Sequence, residues 1–490
     1  MTGGGKNILA FGFNDPFVRP VIPMLAAAEG VGEVRWITNA LGEEILPPTP
    51  RLTIIDMQEA LNAVPKRASA GMHGVVMTDA LQRTYDAALP VVMKMMDRME
   101  KHGPEQSYYQ RKKRFHDIFH YWLAFLQRHR IDYFLCVDIP HEMTDYVIAE
   151  LCRTLGVGTL SFTQMGIDAV ITVAHYTEVG TERQARMSEL SAQRREDLHR
   201  VMTTRIAHAR GEQTTPAKPF YANQAWMKTH DRNVKARQRG RLRAKLPGLL
   251  GKLTDPAAWN YLYYLLWYRP VVEKRRQQRY WRAYEKITDR EVDFDRPYVY
   301  LPLHYQPEMT TSPLAERYND QYLMAFTLLA AFPEDVHVYV KEYPRQRLPG
   351  RSLDYWEYFP QSDRIHFMPV SVDSGRLQEH AVATATATGT AGFEALWKSK
   401  PVLVFGNAYY QRAPGAFRIR TVSDARAAAK AILDGPAIHY DMPGFMRDME
   451  GRVLPANLNA YWAGASYLGL SPEENSGLLL EEILARLRAV

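Results

Sequence analysis

Short apolar runs alternate with helix-patterned stretches in two separate blocks of this chain, and a long strand-poor stretch parts them. In the first block KNILAFGF (6–13), GEVRWITNA (32–40), RLTIIDM (51–57), IDYFLCVDIP (131–140) and VGTLSFTQ (157–164) read as strands. A helix is expected after Pro20 through VIPMLAAAEG, more helix from Thr78 to His129, and another in HEMTDYVIAELCRTLG, closed by Gly156. The second block repeats the pattern, with strands in PYVYLPLHY (297–305), VHVYVKEYP (336–344), DRIHFMPV (363–370) and VATATA (382–387). Its helices are expected over 315–332, 373–380 and 391–399, and the tail from Asp424 reads as two or three helices without a strand. Such alternation predicts parallel sheets covered by helices on both faces. At 490 residues two domains are expected. The pattern divides the chain into a Rossmann-like domain over 1–185, a helical insertion or linker over 186–290, a second Rossmann-like domain over 291–435 and C-terminal helices over 436–490.

The formal charge of +7 is a local property. Between Lys228 and Lys252 nine Lys/Arg residues stand against Asp231 alone, and the remainder holds 52 basic and 53 acidic residues. WNYLYYLLWYRPVVEKRRQQRYWRAYEK (259–286) follows, aromatic and then basic again. Rings and cations together suit a membrane interface, so residues 228–286 are a candidate contact with the inner-membrane surface. An amphipathic helix that packs Tyr and Leu inward and solvates its cations explains the same residues. Nucleic acid is disfavoured, since no RNP-like or helix-turn-helix pattern accompanies the charge. Two cysteines, Cys136 and Cys152, offer neither a disulfide framework nor a zinc-ligand set. With no signal-peptide pattern and no apolar run of spanning length, a cytoplasmic protein, peripheral on the membrane if at all, is the expectation.

Chemistry concentrates at strand exits of the second block. VATATATGTAGFEALW passes from a strand through Thr388, Gly389 and Thr390 into a helix. Unpaired helix N–H groups favour an anion at such a corner, and threonine hydroxyls can bind phosphate oxygens or cap the helix. Plain capping accounts for the same residues. His304 and Glu308 follow a second strand, and Lys341, Glu342 and Arg345 a third. Glu308 or Glu394 can accept ribose hydroxyls, and Lys341 or Arg345 can neutralise a leaving phosphate.

YVYLPLHYQPEMTTSP, VYVKEYP and TATGTAGFEALWKSKPVLVFGNAYY resemble the capsule polysaccharide biosynthesis proteins, over roughly 295–420 and more loosely over 132–162. These are bacterial GT-B glycosyltransferases that include the β-Kdo transferases of capsule assembly. The resemblance implies two Rossmann-like domains facing a cleft and a metal-independent, inverting transfer, often from CMP-Kdo, onto a growing glycan or glycolipid. No cofactor is implied beyond the nucleotide-sugar substrate. It places the nucleotide on the C-terminal domain and the acceptor on the N-terminal one. Glu308 matches the family's Pro-Glu motif, and Thr388, Gly389 and Thr390 its phosphate corner. Tyr343-Pro344 departs from the His-Pro common in the family. A phenol is a poorer acid than imidazole at neutral pH.

A base for such a transfer belongs on the acceptor side, where Asp15, Asp138 and His141 lie just beyond strand ends. Loop capping also explains Asp138, and turn formation Asp15. Asp293-Phe294-Asp295 precedes a strand instead of following one and reads as a charged linker, so no metal site is expected. Alternatives within the same fold are a polyol-phosphate transferase and a nucleotide-sugar epimerase. A non-catalytic assembly subunit is the more distant one.

Overall fold

A computed structural model describes residues 5–39, 49–61, 77–99, 107–165, 169–181, 195–200, 202–203, 263, 267, 271–346, 350–463 and 468–489. The Lys228–Lys252 patch lies outside them. One sheet contains β1 (Lys6–Phe11), β2 (Val31–Thr38), β3 (Leu52–Asp56), β4 (Tyr133–Cys136), β5 (Gly158–Met165) and β6 (Ala169–Val173), in the order β3-β2-β1-β4-β5-β6. The other contains β7 (Tyr298–Pro302), β8 (His337–Lys341), β9 (Ile365–Met368), β10 (Ala383–Thr386), β11 (Val402–Val404) and β12 (Ala416–Arg418), in the order β12-β11-β10-β7-β8-β9. Counted from its own first strand, each sheet has the order 3-2-1-4-5-6 of a dinucleotide-binding Rossmann sheet. The order in which the chain adds strands therefore reverses between β1 and β4 in one sheet and between β7 and β10 in the other. Ligands in open α/β sheets bind beyond the carboxyl ends at such points.

Every pairing is parallel except β5 with β6. Strands β6, β11 and β12 lie outside the sequence expectation. β11 and β12 have only three residues each, too few for a period, and β6 turns back antiparallel as an edge strand. Near-continuous apolar runs such as Ile8, Leu9, Ala10 and Phe11 are buried because helices cover both faces. The long helical stretch divides into α3 (Asp79–Met99) and α4 (Tyr108–Arg128), with α1 (Val21–Ala27) and α2 (Met57–Leu61) before them. Ser107 and Gln110 start α4 with a reciprocal capping box. α5 (Met143–Leu155) ends at Gly156, whose φ of 71° is the left-handed cap expected there.

Within the strand-poor stretch, α6 (Lys274–Ile287) packs Tyr280 and Tyr284 into the second domain's core and exposes Lys274, Arg275, Arg279, Arg282 and Lys286. Here the core-packing explanation of the aromatic and basic pattern holds. α7 (Tyr322–Ala331), α8 (Ser374–His380), α9 (Thr390–Trp397) and α10 (Val422–Leu433) complete the second layer. After α11 (Met442–Glu450) the chain returns to the first domain. Leu454 pairs antiparallel with Val170, α12 (Ala460–Ala463) follows, and α13 (Pro472–Ala489) buries Leu479, Ile483 and Leu487 in the cluster that holds Val21, Ile22 and Leu25.

The carboxyl edges of the two sheets meet. Ile139 and Met165, at the exits of β4 and β5, share one apolar cluster with Leu314, Phe393 and Tyr409, from beyond β7, β10 and β11. The Gln411 amide donates to the Val179 carbonyl, and Lys94 pairs with Asp320 across the same junction at 2.5 Å. This is a GT-B-like α/β architecture. Among the described residues no helix is long and apolar enough to cross a membrane.

Candidate active site

The crossover between β7 and β10 is built around one imidazole. His304 Nε2 lies 2.9 Å from Thr386 Oγ1 and accepts the Ala387 N–H at 3.2 Å. Thr386 Oγ1 in turn accepts the Gly389 N–H at 3.2 Å, so its own proton points to Nε2. With Nε2 an acceptor twice over, the imidazole proton sits on Nδ1. Burial, reinforced by the Arg351 charge, pushes His304 down to about 4, so the ring is neutral near pH 7.

This ring also explains Gly389. The glycine has φ −70°, open to any residue, but a Cβ there would stand 2.8 Å from His304 Cε1 and 3.0 Å from Thr386 Oγ1. The glycine makes room for the histidine. Gly389 is itself the N-cap of α9, without a side-chain cap, and Thr390 is the exposed first residue of the helix. The Thr388 hydroxyl donates to the Thr310 carbonyl at 2.8 Å, tying the corner to the loop after β7. The Tyr410 hydroxyl closes on the Gly389 carbonyl from below. What the corner presents is thus the amide end of α9, Thr390 and the edge of a neutral imidazole.

Beneath it lies a buried ion pair. Arg351 Nε donates to Glu342 Oε2 at 2.9 Å, with both side chains wholly inaccessible. Arg351 also donates to Gln306 Oε1 at 2.6 Å and to the His304 carbonyl at 3.0 Å, and its guanidinium lies 4.2 Å over the Tyr355 ring. Glu342 further accepts the Tyr280 hydroxyl and, at 2.6 Å, the Tyr343 N–H. Gln321 accepts the His304 N–H at 2.7 Å and donates to Gln306. The exits of β7 and β8 are therefore cross-linked to α6, and every lone pair of the buried carboxylate has a donor, the condition under which such a pair is tolerated.

Residues 260–431 match a family model described as capsule polysaccharide biosynthesis protein. This region belongs to that family. The capsule family domain so defined takes in α6, the switch point between β7 and β10, and the whole ion-pair network. No curated protein matches the chain. Among solved structures it is similar to UDP-GlcNAc 2-epimerase of Methanocaldococcus jannaschii at 10% identity and TM-score 0.26, covering 90% of this chain and 95% of that one. It is also similar to the KpsC β-Kdo 2,4 transferase of Thermosulfurimonas dismutans at 12% identity and TM-score 0.28, covering 64% of this chain and 87% of that one. The β-Kdo 2,7 transferase of the same protein gives 12% and 0.25, covering 71% and 91%. Such low scores add no argument; the strand order carries the fold by itself.

The other expected residues of the capsule family domain fall in different settings. Lys341 is buried, with its ammonium on the Val372 carbonyl and on Ser374 Oγ at 2.9 Å, and burial lowers its pKa. Its visible role is to hold the loop after β9. Tyr343 remains 38% exposed, its ring centroid 5.8 Å from that of Tyr305. Burial, with the Glu308 charge adding and the Arg345 charge opposing, raises the Tyr343 phenol. Glu308 and Arg345 are exposed on the same edge, and the Glu308 backbone is locked to Thr311 by hydrogen bonds in both directions. Burial lifts Glu394 to about 7 against the opposing charge of Lys398, so near neutrality it can both accept and donate.

On the facing domain, His141 Nδ1 is 2.6 Å from the Ile139 carbonyl and must donate to it, which makes Nε2 the acceptor. Asp138 Oδ1 accepts the Ile139 N–H at 2.8 Å, and buried Asp145 takes the His141 N–H. Asp15 is committed to caps: its Oδ1 accepts N–H groups from Phe17 at 2.9 Å and from Ala460 at 3.0 Å. The Asp293 carboxylate accepts the Asp295 and Arg296 N–H groups, as a turn former does. Among the described residues no group of three His, Cys, Asp or Glu could hold a metal ion.

Thr386 was missed, although its signal is in the alternation. Ala383, Ala385 and Ala387 enter the core, so Thr384 and Thr386 take the other face, toward His304. Arg351 and Gln321 had no such signal.

Proposed function

We propose that this chain is an inverting glycosyltransferase that moves a sugar from a nucleotide donor to a growing capsule or other surface polysaccharide. The single observation behind this reading is the His304–Thr386–Gly389 relay, built at the switch point of a Rossmann-order sheet inside a capsule family domain. The donor phosphate would lie at the amide end of α9. Charge developing there as the sugar leaves meets N–H dipoles already in place, with no metal required. Glu308, whose charge acts on the Tyr343 phenol, would receive ribose hydroxyls, and Glu394, poised near neutrality, hydroxyls of the transferred sugar. On the facing domain His141 is the preferred base, because the Ile139 carbonyl holds its proton on Nδ1 and directs the Nε2 lone pair outward from that contact. CMP-Kdo is the donor the family resemblance favours.

Thermal unfolding with CMP, CDP, UDP and GDP tests the donor site, because a ligand that binds only the folded chain must raise the midpoint. One nucleotide should stabilise the protein; none doing so would overturn the reading. Incubation with the sugar nucleotide and an acceptor glycan should then yield a lengthened glycan. An altered sugar nucleotide from donor alone would mean an epimerase, and phosphate carried over with a polyol would mean a polyol-phosphate transferase.

The acceptor would be presented at the inner-membrane surface, with residues 228–286 as the contact. Replacing Arg237, Arg239, Arg241 and Arg243 by glutamine should release the protein from anionic vesicles, as cationic residues near such a surface contribute additively. Unchanged sedimentation with the vesicles would remove the membrane from this reading.

A further inference from the structure

We propose that Tyr305 and Tyr343 form the wall against which the donor's nucleobase stacks. This rests on the donor-site reading above and adds to it the half of the nucleotide that the phosphate corner leaves unplaced.

Placement is the first argument. β10, β7 and β8 are neighbours, so the exits carrying Thr386, His304 and Lys341 lie side by side at intervals of roughly 4.8 Å. Tyr305 follows His304 directly, and Tyr343 is two residues beyond Lys341. A nucleotide with its phosphate at the corner can extend over this pair. In the opposite direction, toward β11, lies Glu394 with Tyr409, a setting for hydroxyl groups and not for a base.

Rigidity is the second. The residues flanking Tyr305 are both pinned, the His304 N–H to Gln321 at 2.7 Å and the Gln306 N–H to Gln346 at 2.9 Å. The Tyr343 N–H is held by Glu342, itself fixed by Arg351 and Tyr280. An aromatic ring that is part exposed on so fixed a backbone binds with little ordering cost. Tyr298, Tyr300 and Tyr339, on the same two strands, are fully buried, so exposure at Tyr343 is a local feature of the strand exit.

Chemistry is the third. The two rings are tilted to one another at an interplanar angle of 60° and do not stack on each other. A raised phenol stays protonated, so the wall is neutral and suits an uncharged aromatic base.

Calorimetric titration of the full chain with CMP, UDP, GDP and ribose 5-phosphate tests it, in the wild type and in Tyr343→Ala, Tyr305→Ala and Tyr343→Phe. Stacking predicts that Tyr343→Ala weakens the favoured nucleotide by about 5- to 150-fold. Tyr305→Ala should weaken it in the same direction, Tyr343→Phe should keep the wild-type value, and ribose 5-phosphate affinity should not move. Unchanged nucleotide affinity in both alanine variants would overturn the wall alone. So would equal losses for nucleotide and ribose 5-phosphate, which would assign the rings to the ribose phosphate. A wild type that binds no nucleotide would overturn the donor-site reading, and the wall with it.

Discussion

Arg351→Ala should destabilise the protein by about 3–5 kcal/mol, the usual cost of leaving a buried charge without its partner. The pair it breaks is inaccessible on both sides, so water cannot replace the guanidinium at Glu342. The loss spreads beyond the pair, because Gln306 Oε1 and the His304 carbonyl each lose one of two donors and keep only the Gln321 amide. Both belong to the turn that presents His304 and Tyr305. Nucleotide stabilisation should therefore fall together with the denaturant midpoint. A double variant, Arg351→Met with Glu342→Leu, removes both charges and should regain part of the stability. It should not regain all, since Tyr280 and the Tyr343 N–H then lack the carboxylate they face. Urea unfolding followed by fluorescence measures this directly. A loss below about 1 kcal/mol in the single variant would mean that the network does not organise the strand exits.

How much of this site could be read from the chain depends on distance along it. The Thr388–Gly389–Thr390 corner was legible because strand, glycine and helix are adjacent in sequence. The reason for the glycine was not, since the atom that needs the space belongs to His304, on another strand. Fold class was legible for the same local reason: each strand is an apolar run with a helix pattern beside it. The strand order, and hence the switch point between β7 and β10, required the structure. Charged residues at strand exits were the least transparent. Lys341 and Asp15 carry the right chemistry for a site, but loops also expose backbone groups that must be satisfied, and these two side chains satisfy them. Arg351 lies in RSLDYWEYF, a stretch with no motif, and its importance comes from Glu342 nine positions earlier. The basic and aromatic stretch divides in the same way. Its α6 portion has a structural explanation in Tyr280 and Tyr284, whereas its most basic portion lies outside the described residues.

Gly389→Val should abolish nucleotide stabilisation while leaving a folded protein. Valine's Cβ alone would approach His304 Cε1 to 2.8 Å and Thr386 Oγ1 to 3.0 Å, and its methyl groups need further room. The imidazole is buried and held by Thr386 and Ala387, so it cannot swing aside without losing both contacts. Overpacking of this kind costs about 1–3 kcal/mol, less than unfolding a two-domain chain requires. Crowding of Thr386 Oγ1 by the same Cβ also disturbs its hydrogen bond from the residue 389 N–H, which fixes the amide end of α9. Stability and binding can be separated by a cycle with His304→Ala. Removing the ring gives the valine space, so Gly389→Val/His304→Ala should be more stable than the two single losses added together. Nucleotide binding should stay absent in the double variant, because the relay is gone from both ends. Retained affinity in Gly389→Val would move the phosphate away from this corner. Strict additivity in the cycle would mean instead that the glycine serves some purpose other than housing His304.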